Sequence, residues 1–197
     1  GYNGSEVLKN ISFEIKEGSL VLLLGRNGCG KSTLLKLIAG ILKPQKGKIE
    51  IYGKDINRLS YSHRAKIIGF LPQTHNTFFP YKAEEVVITG RASYILYSPK
   101  QEDRRKALEA MERVGVLELK DKPYNQLSGG ERQLVMIARV LAQEPKIILF
   151  DEPLTFLDIC NQIRFFSLVK EMLSHKLTVV MVIHDLITAA KFNADYI

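Results

Sequence analysis

At 197 residues, with 46% hydrophobic side chains, the chain suits one domain with a sizeable core. Its net charge of +7 favours an acidic ligand or a membrane-proximal setting, but the lysines and arginines are scattered without an aromatic-interleaved basic patch, so nucleic acid is not an expected partner. No apolar run approaches the roughly 20 residues that span a bilayer, no secretory pattern opens the chain, and the two cysteines read as reduced thiols of the cytosol rather than a disulfide.

In chain order, residues 8–14 and 48–52 alternate apolar and polar side chains and predict half-exposed antiparallel strands. Between them, the unbroken apolar run at 20–24 predicts a parallel strand buried on both faces. It leads into Gly25-Arg26-Asn27-Gly28-Cys29-Gly30-Lys31-Ser32-Thr33, followed by helical apolar spacing at Leu34, Leu35, Leu37 and Ile38. That is the G-x-x-x-x-G-K-[ST] phosphate loop in its strand–loop–helix setting. Glycines at 28 and 30 allow backbone N–H groups to turn inward, and the helix N-terminus adds positive dipole beneath the phosphates. Lys31 is expected to bridge the β- and γ-phosphates, with Ser32 on Mg²⁺. A disulfide through Cys29 would distort this loop.

Residues between Gln73 and Ser128 contain no strand-like run long enough to join a core and predict a helical insert. Ser98-Pro99-Lys100-Gln101 is expected to start one of its helices, with a capping box and proline at the first position. Ala107, Leu108, Met111 and Val114 give that helix an apolar face. Leu127-Ser128-Gly129-Gly130-Glu131 then carries an S-x-x-E capping box followed by helical apolar spacing at Leu134, Ile137, Ala138 and Leu141. A helix entry with two glycines and a hydroxyl is a second anion site. Since Lys31 already completes one cradle, the second makes sense for a phosphate held by another molecule.

The run 147–150 predicts a further buried strand, with Asp151 at the carboxyl end where open α/β sheets bind ligands. Asp151 is expected to hold Mg²⁺ through water, and Glu152 to accept a proton from the attacking water. The run 179–183 ends in His184, at an equivalent strand end, which favours a γ-phosphate contact. Residues 194–197 read as the start of one more strand.

Taken together, these motifs resemble the nucleotide-binding domain of ABC ATPases over nearly the whole chain. The resemblance implies an α/β fold: a P-loop NTPase core with a mostly parallel sheet, an antiparallel β subdomain and a helical insert. A single domain over 1–197 is expected, truncated at both ends relative to the family's usual run, with a helical subdomain at about 76–142 inserted in a RecA-like core. Tyr2 matches the aromatic that stacks on adenine, and Gln73 the glutamine that touches Mg²⁺ and water and senses the membrane partner. Asn27, Gly28, Cys29, Gly30, Lys31, Ser32 and Thr33 match the phosphate loop. Ser128, Gly129 and Gly130 match the family signature that meets the γ-phosphate held by a second subunit. Asp158 matches the D-loop aspartate, and Glu152 and His184 the catalytic glutamate and switch histidine. Two positions depart from the usual pattern, Leu154 where threonine is usual and Leu134 where a second arginine is common; neither removes a phosphate or metal ligand.

The implied cofactors are ATP and Mg²⁺. The implied partners are a second copy in the ATP-bound state, transmembrane permease subunits and, indirectly, a substrate-binding protein, with no nucleic acid. The implied place is the cytoplasmic face of a membrane. Leu141-Ala142-Gln143-Glu144-Pro145, Leu157-Asp158-Ile159, Asn161-Gln162, His184-Asp185-Leu186 and Gly90-Arg91 with Tyr94 and Tyr97 are similar to ATPases serving iron-siderophore, haem and cobalamin importers. Ala92-Ser93 replaces that group's proline-bearing turn, and related systems carry molybdate or tungstate. Phe78, Phe79 and Tyr81, with residues 90–97, are the expected permease-docking surface; packing within the insert is the competing role. Soluble relatives of DNA-repair or ABC-F translation-factor type are the alternatives. The first needs a long coiled coil between Gln73 and Ser128, the second a tandem cassette.

Overall fold

The computed structural model describes residues 7–74 and 80–184 and the backbone of a two-residue strand at 195–196. Strands β1 (Leu20–Leu23), β4 (Ile68–Leu71), β5 (Ile147–Asp151), β6 (Thr178–Val182) and β7 (Asp195–Tyr196) form one sheet in the order β4-β5-β6-β1-β7. Every pairing is parallel, with Leu22 opposite Met181, Leu149 opposite Val180 and Phe70 opposite Leu149. The expected terminal strand is present, with Asp195 and Tyr196 paired to Val21 and Leu22.

The unbroken apolar runs follow from burial on both faces. Alternate residues enter different cores. Leu20, Leu22, Ile148, Phe150, Val179 and Met181 join helices α3 (Ala83–Ile88), α4 (Gln101–Val114), α5 (Gly129–Ala142) and α6 (Ile159–Ser174). Val21, Leu23, Leu149, Val180 and Val182 instead pack with Leu35 of α1 (Lys31–Ile38) and with Ile51 and Ile56. Each fully buried Leu- or Val-sized side chain contributes roughly 1.5–3 kcal/mol. Phe150 also meets Phe165 of α6 edge to face, with centroids 5.2 Å apart.

Between β4 and β5 the described chain is helical, as expected. The α4 face predicted from spacing is buried at Ala107, Met111 and Val114, and the turn at Gly115 ends the helix in a left-handed conformation (φ 79). The α3 end presses on α5 so closely that a Cβ on Gly90 would lie 2.1 Å from the Arg139 carbonyl oxygen. Only glycine fits there. Arg139 Nε then donates to Thr89 Oγ1 at 2.8 Å, and burial lowers the Arg139 pKa.

Three local expectations are corrected. Residues 8–14 carry no strand in the described chain, and Ile11 and Phe13 remain exposed. A period-2 pattern needs both a ladder and a face to bury, and among the described residues this segment forms no ladder. The 48–52 segment contracts to β2 (Glu50–Ile51), antiparallel to β3 (Lys54–Asp55). Helix α4 starts at Gln101 rather than Pro99, because the Lys100 N–H donates to Asp103 Oδ2 at 2.9 Å. The lysine ammonium cannot accept a bond in return, so only half of a capping box forms. Helix α2 (Tyr61–Ile67) is capped by Ser60 and runs straight into β4.

Candidate nucleotide site

The carboxyl ends of four parallel strands fall on one edge of the sheet. Their lateral order places the predicted residues in sequence along it. Gln73 lies two residues past β4, Asp151 and Glu152 close β5, His184 follows β6, and the glycine-rich loop follows β1. Ligands bind at such edges because strand-end loops and helix N-termini converge there.

The loop is left-handed at Gly28 (φ 79) and Gly30 (φ 102), which tolerate it without a Cβ. Gly30 is the N-cap of α1 and brings no side chain to the first turn, so the first-turn N–H groups are left for a ligand. Lys31 Nζ donates to the carbonyls of Gly25 at 2.7 Å and Arg26 at 2.9 Å, and lies 3.9 Å from Cys29 Sγ. The cation therefore stays over the loop. Asn27, Gly28 and Cys29 are exposed, while Thr33 is half-buried in the first helical turn.

Ser32 Oγ donates to Asp151 Oδ1 at 3.0 Å, joining the phosphate loop to β5 across 119 positions of sequence. Asp151 is 2% exposed. Burial raises its pKa, the Ser32 hydrogen bond opposes that shift, and the Glu152 charge adds to it. A hydroxyl beside a buried carboxyl is a hard-oxygen pair that suits Mg²⁺, which dehydrates reluctantly and takes one or two protein ligands alongside phosphates. Among the described residues no group of three or more His, Cys, Asp or Glu could hold a metal unaided.

Glu152 has φ 54, a left-handed conformation that costs a non-glycine residue about 1 kcal/mol or more. The turn is held by the Thr155 hydroxyl, which donates to the Glu152 carbonyl at 3.1 Å. It is held again by Gln133 Nε2, which donates to the Pro153 carbonyl at 2.9 Å. Glu152 Oε1 meets His184 Nε2, so carboxylate and imidazole stand side by side at neighbouring strand ends. Gln133 went unnoticed in the sequence. Its signal was a polar residue on the stripe that continues through the buried Ile137 and Val140.

The second helix entry forms the predicted reciprocal cap. Ser128 Oγ accepts from the Glu131 N–H at 3.2 Å, and Glu131 Oε2 accepts from the Ser128 N–H at 2.8 Å. The latter bond holds the Glu131 carboxyl below its ordinary range. Gly129 and Gly130 lie against Phe156. Asp158 caps α6 by accepting from the Asn161 N–H at 2.8 Å. Both family departures are absorbed by packing: Leu134 is buried and Leu154 sits against the larger core. Among the described residues, no hydrogen bond joins 128–130 to the loop at 25–33. Tyr2, Phe78 and Phe79 lie outside the described residues, and Tyr81 is exposed. Among the described residues no helix is long and apolar enough to cross a membrane.

Comparison with known proteins agrees with this geometry. The achromobactin transport ATP-binding protein of Dickeya dadantii is 38% identical over 199 residues, covering 100% of this chain and 74% of that one. The molybdate import ATP-binding protein of Haemophilus influenzae is 38% identical over 182 residues, covering 91% and 67%. A solved ATP-binding cassette, dimeric and bound to ADP and Pi after hydrolysis, superposes with a TM-score of 0.85 at 35% identity, covering 93% of this chain and 82% of that one. A transporter assigned to the metal-chelate type, in an inward-facing conformation, gives 0.81 at 37% identity, covering 92% and 68%. With residues 8–155 matching the ABC transporter family model as well, the chain belongs to the ABC transporter family and is one of its ATP-hydrolysing ATPases.

Proposed function

We propose that the chain powers an importer, as a peripheral subunit on the cytoplasmic face of a membrane. In this reading the single domain over 1–197 is a RecA-like core with a helical subdomain at about 76–142. Tyr2 stacks on adenine. Lys31 and the loop from Asn27 to Thr33 bind the β- and γ-phosphates, and Ser32, Asp151 and Gln73 hold Mg²⁺. A magnesium ion bound there neutralises phosphate charge. Glu152 takes the proton of the attacking water, and His184 orients the γ-phosphate. Ser128, Gly129, Gly130 and Asp158 serve the site of a second copy.

One observation carries this reading: Glu152 meets His184 beside the Ser32–Asp151 pair, on the same sheet edge as the phosphate loop. Glu152→Gln should bind MgATP normally, hydrolyse it at least ~10²-fold more slowly and accumulate as an ATP-bound dimer. Wild-type turnover in that variant sinks the assignment.

A groove of ≈ 740 Å³ on the helical region, lined by Ile88, Thr89, Ala92 and Ile95 with Lys82 and Arg104 among its polar residues, supports permease docking there. Replacing Ala92 by Arg should spare hydrolysis and abolish co-purification with the permease. The achromobactin relative and the metal-chelate-type transporter support an iron chelate, haem, cobalamin or related metal compound as cargo; the molybdate relative supports an oxyanion as the second reading. Uptake of a labelled ferric chelate against labelled molybdate, in vesicles holding the assembled transporter, separates the two. The DNA-repair and translation-factor alternatives are not favoured by these relatives.

A further inference from the structure

Gln133 is 1% exposed, in the second turn of α5, among Leu134, Val135 and Ile137. Its Nε2 donates to the Pro153 carbonyl, while its Oε1 is buried with no hydrogen-bond partner among the described residues. The carbonyl can only accept, so the amide must face it with nitrogen, and the oxygen is left unpaired by that choice. A buried acceptor without a partner is costly; an apolar side chain of similar size would remove that acceptor but leave the buried Pro153 carbonyl without this donor. The amide is therefore tolerated for the one bond it makes.

Where that bond falls is informative. Pro153 has no N–H, so its carbonyl is the residue's only backbone hydrogen-bonding group. It directly follows Glu152, whose left-handed φ of 54 aims the carboxylate at His184. Three residues on, the same turn is clamped to α5 again: a Cβ on Gly130 would lie 3.0 Å from the Phe156 carbonyl oxygen, and one on Gly129 3.7 Å from the Phe156 side chain. The Glu152 turn is thus gripped by α5 at Pro153 and Phe156, just behind the Ser128 helix entry.

We propose that Gln133 is a positioning residue that fixes the Glu152 turn to the Ser128 helix entry of the same chain, so that the placement of that entry sets the aim of Glu152. This rests on the reading above of Glu152 as the group that activates water and of residues 128–130 as a contact for the phosphate of a second copy. A subunit whose helix entry engages its partner's nucleotide thereby aligns the carboxylate of its own site.

The test uses the full chain with Gln133→Met and Gln133→Leu, each close to glutamine in volume and unable to donate. Steady-state hydrolysis, binding of a fluorescent ATP analogue and thermal melting are measured, with Glu152→Gln as control. Both variants should lose about tenfold or more in kcat, the scale set by misplacing a reacting group by a fraction of an ångström to an ångström. The KM for ATP and the analogue affinity should stay within about twofold, and the melting temperature should stay close to wild type, because the variants remove one unpaired acceptor, Gln133 Oε1, and leave another, the Pro153 carbonyl. Wild-type kcat in both variants overturns the proposal. So does a kcat loss accompanied by weakened nucleotide binding or a lowered melting temperature, or failure of both to fold, since each marks a packing role. Slow hydrolysis by Glu152→Gln with normal kcat in the Gln133 variants rejects this inference alone, whereas normal hydrolysis by Glu152→Gln rejects the reading on which it rests.

Discussion

Two helix entries in this molecule are rich in glycine and suited to anions, and they are built differently. At α1 the cap is Gly30, with no side chain to satisfy the first-turn N–H groups, and the nearby cation is Lys31. At α5 the cap is Ser128, which forms a reciprocal box with Glu131, so two backbone donors are already occupied and a carboxylate stands at the entry. The first entry leaves its donors to the ligand and can hold phosphate alone. The second already has two donors occupied and carries negative charge, which fits the supporting contact to a phosphate held elsewhere that is proposed above. This is the physical basis for assigning the cradle to α1 and a supporting contact to α5.

The largest test of this difference removes one entry at a time. Lys31→Ala should lose nucleotide affinity and hydrolysis together, while Ser128→Arg should keep affinity and lose hydrolysis; both losses are expected to be ~10²-fold or more, the scale of removing a preorganised group at a transferring phosphate. Mixing the two inactive variants should restore activity, because a mixed dimer keeps one site with Lys31 from one copy and Ser128 from the other. No recovery despite demonstrated mixed dimers would confine catalysis to one subunit.

Chemical modification comes next. Cys29 is exposed within the α1 loop, 3.9 Å from Lys31 Nζ. A maleimide there should block hydrolysis, saturating MgATP should protect, and Cys29→Ser should bind ATP and resist the reagent. Continued sensitivity of Cys29→Ser would move the target to the exposed Cys160.

Matching alanine substitutions should give smaller, unequal effects. At Gly30 the φ of 102 and a Cβ placed 2.7 Å from Leu8 Cδ2 predict a loss of about 1–3 kcal/mol of stability together with weaker nucleotide binding. At Gly129 the new Cβ meets Phe156 at an ordinary 3.7 Å, and helix propensity favours alanine, so thermal unfolding should move by no more than about 0.5 kcal/mol. Equal losses at the two positions would erase the distinction between the entries. Between these lies Ser128→Ala, which removes one half of the box and should cost about 1 kcal/mol of stability by thermal melting, with a milder hydrolysis defect than Ser128→Arg.

Much of the site was legible because its signals are local. The glycine spacing before Lys31 and the Ser128–Glu131 box each encode a backbone conformation within a few residues, and both formed as read. The unbroken apolar runs encode burial on two faces, which a parallel sheet supplies to β1, β5 and β6. Residues 8–14 misled because alternation states only that a strand could form; a ladder partner decides whether it does. The start of α4 misled because a proline and a serine suggested an entry that Asp103 sets two residues later.

The sequence by itself determined the strand–loop–helix of the phosphate cradle, the capped α5 entry and the acidic and imidazole residues that end buried strands, since each depends on neighbours within one element. Only the tertiary structure decided that β5 and β6 lie side by side, bringing Glu152 to His184, and that Ser32 reaches Asp151. It alone revealed the grip of Gln133 on Pro153. Those contacts depend on strand order and on the approach of α5 to the turn after β5. Both are set by how two apolar faces of the sheet are covered, and no local pattern of residues records that.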